Sequence, residues 1–159
     1  MYQSFYNSPA GSLLISASDS GITQIKFVDK ANPGTNKEQE YSIIKDCISQ
    51  LHEYFSGTRK IFSIPLDPKG TDFQKEVWGE LNKIPFGKTL SYLELAMKLG
   101  DVKKIRAVGG ANGKNPIAII VPCHRVIGSD GGLTGYAGGM DKKRWLLQFE
   151  GSIKPDLFS

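Results

Sequence analysis

The chain has 159 residues, of which 40% are hydrophobic and 23% are charged. This balance is typical of a globular protein with one domain or two small ones, and it excludes a disordered or fibrous chain. The net charge of +4 is unevenly distributed: residues 1–69 carry seven basic and seven acidic side chains, whereas residues 70–159 carry thirteen basic and nine acidic ones. All of the positive excess therefore lies in the second half, where a polyanionic partner would be attracted.

No run of about 18 apolar residues is present to span a bilayer, and the polar start MYQSFYNSPAG lacks the features of a signal peptide. We therefore expect a cytoplasmic protein with no membrane partner. Cys47 and Cys123 lie far apart and are interpreted as reduced thiols. His52 and His124 follow them at spacings that do not suit a zinc site, so we expect neither a metal nor a cofactor.

The first half begins with the pattern of a small sheet. A turn is expected at residues 7–11, and the apolar runs 13–17 and 22–28 flank Asp19-Ser20-Gly21, which predicts a hairpin. From Asn36 to Ser56 apolar residues recur every three or four positions and predict an amphipathic helix; they are Tyr41, Ile44, Ile48, Leu51 and Phe55. Cys47 borders this stripe and is interpreted as a small buried hydrophobic residue.

A further strand is predicted from Ile61 to Leu66, and prolines and a glycine follow it. The charge balance changes at the same place, so a domain boundary is predicted near residues 67–71. We expect a first domain over 1–68 and a second over 69–159.

Three short helices are predicted next. Asp72 is expected to cap the first, Ser91 with Glu94 forms a capping box for the second, and Asp101 caps the third. The third helix is expected to turn Val102, Ile105 and Val108 inward and to leave Lys103, Lys104 and Arg106 outward. The last two helices match a helix-turn-helix in outline, although a basic face is also compatible with simple solvation.

The apolar run from Ile117 to Val121 predicts a buried strand that ends in Pro-Cys123-His124-Arg125. A thiol beside an imidazole and cations is suited to ionise and to act as a nucleophile, whereas the alternative is a core cysteine beside a surface histidine. The glycine-rich segments 128–132 and 135–139 favour the nucleophile, since glycines permit close approach of a ligand.

Adjacent side chains on extended backbone point in opposite directions, so a local turn or a water must connect Cys123 with His124. A histidine that acts as a base also needs an acceptor to orient it, and Glu150 at the end of the predicted C-terminal helix is available.

The segments IPFGKTLSY, IRAVGGANGKNP, IIVPCHRVIGSDGGLTGYAGG and KRWLLQFEG resemble the methylated-DNA-protein-cysteine methyltransferases, also called O6-alkylguanine-DNA alkyltransferases. PCHRV is highly specific for this family, and PLDPKGTDFQKEVW extends the resemblance across the linker. The chain is similar to the short type without an added zinc-binding segment. The resemblance implies an α+β fold, with a ribonuclease H-like sheet-and-helix domain followed by a mostly helical, winged-helix-like domain that carries the helix-turn-helix.

The resemblance also implies a reaction, in which a methyl or larger alkyl group moves irreversibly from O6 of guanine in duplex DNA to Cys123. O4-alkylthymine is left open as a second substrate, and the protein is expected to act once, as a monomer. His124 would deprotonate Cys123 through water, Glu150 would orient His124, and Tyr92 would donate toward N3 of the purine. The residues alone favour a buried aromatic for Tyr92.

The remaining roles implied by the resemblance concern DNA. Asn115 would tie the helix-turn-helix to the active-site turn, and Arg106 would fill the space left by a nucleotide rotated out of the duplex. The expected DNA contacts also include Ala107, Gly109, Gly110, Ala111 and Arg125. The expected pocket for the base is formed by Tyr92, Val126, Tyr136 and Ala137.

Two other functions are compatible with parts of this pattern. Non-catalytic proteins that only mark alkylated DNA lack the reactive cysteine, so the presence of Cys123 opposes that function. A Cys-His hydrolase would need an oxyanion hole and repeated turnover, which a labelled ester or peptide would test.

Overall fold

The computed structural model describes residues 1–29 and 41–154, and the first residues of the predicted long helix, 36–40, lie outside that part of the chain. The chain divides into two compact units. One contains residues 1–69 together with 116–120, and the other contains residues 70–115 and 121–159. Within the described residues, no helix has both the length and the apolar character needed to cross a membrane.

The first unit contains an antiparallel sheet in the order β1-β2-β3. Its strands are β1 (Tyr2–Ser8), β2 (Gly11–Ala17) and β3 (Ile22–Val28), which confirms the predicted hairpin. Leu13 and Ile15 of β2 are completely buried, because alternate residues of a strand face the same side. The strands therefore present one apolar face to the core.

Helix α1 (Ser42–Phe55) packs on β1 and β2. Ile44, Cys47 and Leu51 are completely buried, which confirms the amphipathic pattern. Burial raises the pKa of Cys47 to about 12, so this thiol stays protonated and unreactive at neutral pH.

The predicted strand from Ile61 to Leu66 is wrong. Only Leu66 pairs with the sheet, in an isolated parallel bridge to Ile22. Ile61 is 80% exposed, so the apolar run does not form a continuous buried face. Pro65 also lacks an amide N–H and contributes only its carbonyl, which accepts from the Ile22 amide at 2.9 Å.

The predicted strand from Ile117 to Val121 is also wrong, although four of its five residues are buried. Ile117 forms an isolated bridge with Ile25, and the chain then turns at Ile119, whose φ is 72°. The Ile120 amide donates to the Ala118 carbonyl at 2.8 Å across this turn. Residues 116–120, which the predicted boundary placed in the second domain, therefore pack with the first unit.

The second unit is mostly helical. Its helices are α2 (Asp72–Leu81), α3 (Tyr92–Lys98), α4 (Ile105–Gly113) and α5 (Met140–Phe149). Two short strands, β4 (Leu90–Ser91) and β5 (Val126–Ile127), pair in parallel. Together with the first unit, this arrangement confirms the α+β fold class.

The helix starts follow local capping chemistry. Thr71, and not Asp72 as predicted, caps α2, because its hydroxyl accepts from the Gln74 amide at 3.1 Å. The capping box of Ser91 and Glu94 before α3 is confirmed. Asp101 caps a 3-10 turn (Val102–Lys104) that leads into α4, as expected.

Helices α3 and α4 with their connection form the predicted helix-turn-helix. Val108 is completely buried on α4, whereas Val102 is 48% exposed and its predicted inward position is wrong. The 3-10 geometry of residues 102–104 explains the error, since its period differs from that of an α-helix.

Candidate active site

The backbone around Cys123 forms a turn. Residues Cys123–Arg125 form a single 3-10 turn after Pro122, in which the Arg125 amide donates to the Pro122 carbonyl at 3.0 Å. The turn removes the strict alternation of a strand that would separate Cys123 from His124. The relative exposures of Cys123, His124 and Arg125 are only 7%, 0% and 6%.

Two asparagines hold this turn, Asn112 in the last turn of α4 and Asn115 shortly after the helix. Nδ2 of Asn115 donates to the Val121 carbonyl at 2.8 Å, and the Asn115 side chain also hydrogen-bonds the Cys123 thiol. Nδ2 of Asn112 lies 3.5 Å from the Cys123 carbonyl, at the long limit of a hydrogen bond. Sequence reasoning missed Asn112, which lies in the last turn of α4, whereas Asn115 lies two residues beyond the end of that helix.

Glu150 lies at the end of α5 and joins His124 to Arg125. Nε2 of His124 is 2.9 Å from Oε2 of Glu150. Nε of Arg125 donates to Oε1 at 2.8 Å, and Nη2 donates to Oε2 at 2.9 Å. The structure therefore brings the predicted base together with its predicted orienting carboxylate, and adds Arg125 as a third member.

The protonation state of Glu150 determines the tautomer of His124. Burial raises the pKa of Glu150, but hydrogen bonds from His124 and Arg125 outweigh it and lower the pKa to about 2. An ionised carboxylate only accepts, so Nε2 of His124 carries the hydrogen. In the neutral ring Nδ1 is then the acceptor, and this buried atom makes no hydrogen bond to any described residue.

The thiol and the imidazole are both neutral at rest. Burial raises the pKa of Cys123, although the Asn115 hydrogen bond and the charge of Lys143 oppose it. Burial lowers the pKa of His124, Glu150 raises it, and Arg125 and Lys143 lower it further. Because the pKa of Cys123 is raised, the thiol needs a base to become a nucleophile in this state.

Lys143 is a buried cation that sequence reasoning missed. Its relative exposure is 0%, and Nζ donates to the carbonyls of Thr134 and Gly135 at 2.8 and 3.5 Å. Burial lowers its pKa to about 8, while Cys123 raises it. The Tyr92 hydroxyl donates to the same Thr134 carbonyl at 2.9 Å. Tyr92 and Lys143 thus hold the loop that contains the expected base-binding residues.

The other residues predicted to surround the base lie in this region. Val126 is completely buried in β5, and Ala137 is exposed on the loop. Burial raises the pKa of Tyr136 well above its usual value, and electrostatic interactions with Glu150 and with the Cys123 thiolate, once formed, act in the same direction. The Tyr136 phenol is therefore electrostatically coupled to both groups.

The residues of α4 that are predicted to contact DNA differ in exposure. Arg106, Ala107 and Gly110 are exposed, and Gly109 is half-buried. Ala111 is only 4% exposed, and its carbonyl accepts from Nε1 of Trp78 at 2.9 Å. The Ala111 side chain therefore faces the interior, and its contact with DNA stays a prediction.

Arg125, which is also predicted to contact DNA, is buried. Its guanidinium is buried and bound to Glu150, and Nη1 donates to the Ile84 carbonyl at 2.6 Å. Only 6% of Arg125 is exposed, so its guanidinium does not lie on the surface of the protein.

These elements define a class of protein: a helix-turn-helix unit that contains a buried cysteine with a histidine and a carboxylate next to it. Two family models match the chain, "6-O-methylguanine DNA methyltransferase, ribonuclease-like domain" over residues 1–68 and "6-O-methylguanine DNA methyltransferase, DNA binding domain" over residues 72–152. The chain belongs to the 6-O-methylguanine DNA methyltransferase family, which confirms the resemblance seen in the sequence.

Individual relatives agree with this assignment. The chain is 46% identical to a methylated-DNA–protein-cysteine methyltransferase of Methanosarcina acetivorans, over 96% of this chain and 99% of that protein. It is 44% identical to the corresponding protein of Haemophilus influenzae, over 94% and 86%. The crystal structure of Mycobacterium tuberculosis O6-methylguanine methyltransferase has a TM-score of 0.84 at 42% identity, over 99% and 97%. A structure of M. tuberculosis OGT in complex with DNA has a TM-score of 0.83 at 42% identity, over 96% and 94%.

Proposed function

We propose that this protein repairs DNA by moving a methyl or larger alkyl group from O6 of guanine to the sulfur of Cys123. The observation that carries the proposal is the 3-10 turn Cys123–Arg125, where a buried thiol and an imidazole oriented by Glu150 lie in the unit matched to the DNA-binding domain. We also propose that it acts in the cytoplasm, without a cofactor and as a monomer.

The proposed reaction is an in-line displacement. The sulfur of Cys123 forms a bond to the alkyl carbon while the bond from that carbon to O6 breaks, and the electron pair passes to the purine. The thiol proton moves to Nδ1 of His124 through water, and Glu150 stabilises the imidazolium that forms. Protonation of the purine restores guanine, so the balance needs no oxidant or reductant.

Tyr92 assists departure of the purine in this scheme. Its hydroxyl donates to the Thr134 carbonyl in the resting protein. Donation toward N3 of the purine requires Tyr92 to exchange that acceptor for the substrate. The Tyr136 and Ala137 loop and the backbone at Val126 form the proposed pocket around the base.

The target nucleotide must leave the duplex, because O6 inside the stack gives no room for in-line attack. Arg106 lies exposed on α4 and fills the vacated space in this proposal. Ala107, Gly109 and Gly110 have small side chains or none, which permits α4 to approach the minor groove closely.

Mass spectrometry after incubation with duplex DNA containing O6-methylguanine tests the proposal. The expected result is one added methyl group per chain, confined to the peptide that contains Cys123, with an endpoint at equimolar active protein. Cys123→Ala should gain no mass, whereas Cys47→Ala should react like the unaltered protein.

A thioether is not hydrolysed under mild conditions, so each molecule should act once. Repair that continues beyond the equimolar endpoint would contradict single turnover and would favour a hydrolase-like mechanism. Tight binding of methylated DNA without transfer would favour the non-catalytic alternative.

A further inference from the structure

Arg125 is a buried cation whose three hydrogen-bonding nitrogens are all used inside the second unit. Nε and Nη2 form a two-pronged contact with the Glu150 carboxylate at 2.8 and 2.9 Å, and Nη1 donates to the Ile84 carbonyl at 2.6 Å. The guanidinium carbon also lies 5.8 Å from the centre of the Phe86 ring. The side chain is thus held on three sides.

We infer that Arg125 is a positioning residue for the reaction at Cys123, because its guanidinium fixes the Glu150 carboxylate that directs the tautomer of His124. The inference rests on the proposed function, since it concerns how the proton acceptor for Cys123 is prepared. It assigns to Arg125 a role in chemistry and none in contact with DNA.

The geometry explains why a fork is needed, that is, a contact in which two guanidinium nitrogens bind both oxygens of one carboxylate. Oε2 of Glu150 accepts from both His124 and Arg125, at 2.9 Å in each case. A carboxylate held by a single histidine could rotate about its terminal bond, whereas a planar guanidinium that binds both oxygens fixes the carboxylate plane. With that plane fixed, Oε2 stays directed at Nε2, and Nδ1 remains the proton acceptor.

The backbone carbonyl that binds Nη1 of Arg125 belongs to the turn after α2. The Ile84 carbonyl binds Nη1, and a side chain at Gly87 in the same turn would approach the Glu150 carbonyl to 3.3 Å. Gly87 has φ of +82°, a conformation that favours glycine. Residues 84–87 therefore lie against both the backbone of Glu150 and the arginine that holds its side chain.

The positive charge of Arg125 also affects the pKa of His124. The groups that act electrostatically on His124 are Glu150, Arg125 and Lys143, and Cys123 and Tyr136 are coupled to the same cluster. Glu150 raises the pKa of His124, whereas Arg125 lowers it. Without Arg125 the imidazolium is favoured, so His124 stays protonated to higher pH and cannot accept the thiol proton there.

The test compares Arg125→Met, which removes both the fork and the charge, with Arg125→Lys, which keeps the charge and loses the fork. Arg59→Met is the matched control, because Arg59 also pairs with a carboxylate, Glu53, but lies in the other unit. Each variant is checked for folding by thermal denaturation before use.

Two readouts separate positioning from a merely structural role. The first is the pH dependence of Cys123 alkylation by iodoacetamide, which needs neither DNA nor a rotated base. The second is the ¹⁵N NMR signal of the imidazole nitrogens, which is simple because the chain has two histidines and His52 is an exposed internal reference. Affinity for unmodified duplex DNA is measured in parallel.

In the unaltered protein and in Arg59→Met we expect His124 as the Nε2–H tautomer. In Arg125→Met we expect mixed tautomers, a midpoint of alkylation about one pH unit higher, and a rate at neutral pH reduced roughly tenfold or more. Arg125→Lys should keep the midpoint but show the tautomer mixture, and DNA affinity should be unchanged in all variants.

Unchanged tautomer and midpoint in a folded Arg125→Met protein would overturn the inference. So would weaker DNA binding with normal alkylation, because it would return Arg125 to the DNA contacts. If Arg125→Met does not fold, the tautomer of Arg125→Lys decides between the two outcomes. Failure of the unaltered protein to take a methyl group from DNA would instead contradict the proposed function.

Discussion

At the scale of single residues, opposing effects set the protonation of Cys123. Burial raises the pKa of the thiol, and the Asn115 hydrogen bond and the Lys143 charge lower it. A resting thiol that is protonated and almost completely buried is protected from oxidation and from adventitious electrophiles. Reactivity then depends on the base and on the buried cation, both of which are fixed by the fold.

Lys143→Met should make Cys123 less reactive at neutral pH. Removal of the Lys143 charge raises the pKa of the thiol, so the midpoint of iodoacetamide labelling should move up by about one pH unit. Methionine has a similar length and no buried charge, so the protein should stay folded. Lys26→Met, an exposed change in the other unit, is the control and should react normally. A normal midpoint in Lys143→Met would show that its charge does not act on Cys123.

Glu150 should make stability depend on acid pH. Its pKa is lowered from an ordinary 4.5 to about 2, so its contribution is complete above about 4.5 and is lost as pH falls toward 2. A pKa difference of this size corresponds to roughly 3 kcal/mol in the free energy of unfolding. Urea unfolding between pH 5 and pH 2 should therefore show a steeper loss for the unaltered protein than for Glu150→Gln. Parallel curves would mean that Glu150 is not specially stabilised as an anion.

Some site residues are visible in the sequence and others depend on tertiary structure. Cys123 and His124 stand in a specific local motif, whereas the buried cations Lys143 and Arg125 look like ordinary surface charges. The sequence spacing does give one indication that Lys143 is buried. Residues 143, 146, 147 and 150 share one face of α5, and all four are buried. For Arg125 the partner lies 25 residues away, so only the folded chain shows it.

At the scale of helices and strands, features that depend only on neighbouring residues are predicted well from the sequence. The hairpin β2-β3 and the caps at Ser91 and Asp101 follow from turn and capping chemistry within a few residues. The strands predicted over 61–66 and 117–121 are wrong, because a strand also needs a partner along its length. Each of these runs pairs at one residue, Leu66 or Ile117, and then leaves the sheet.

Arg106→Ala should separate the role of α4 on DNA from the chemistry at Cys123. Repair of O6-methylguanine in a duplex should slow by at least roughly tenfold, because the variant cannot fill the space of the rotated nucleotide. Reaction with a free O6-alkylguanine base needs no such step and should keep its rate. Lys103→Ala, an exposed change in the preceding 3-10 turn, controls for loss of one positive charge. Equal losses on both substrates would contradict the role proposed for Arg106.

At the scale of the whole molecule, the acceptor site and the DNA-binding helix belong to one packed unit. Asn115 binds both the Cys123 thiol and the Val121 carbonyl, and it lies two residues after the end of α4. A methyl group added to Cys123 enters a site that is 7% exposed. Since a close-packed interior has little free space, the added group displaces neighbours that include Asn115.

The methylated protein should consequently be less stable than the unreacted one. Overpacking of this kind costs about 1–3 kcal/mol, and loss of the thiol hydrogen removes its capacity to donate or to ionise. Protein reacted to completion with methylated duplex and then freed of DNA should unfold at lower urea concentration with an unchanged m-value. Cys123→Ala carried through the same incubation controls for the treatment and should show no shift. Because Asn115 adjoins α4, the disturbance should also speed amide hydrogen exchange at the C-terminal end of that helix. Equal stability and exchange before and after transfer would show that the site accommodates the methyl group without strain.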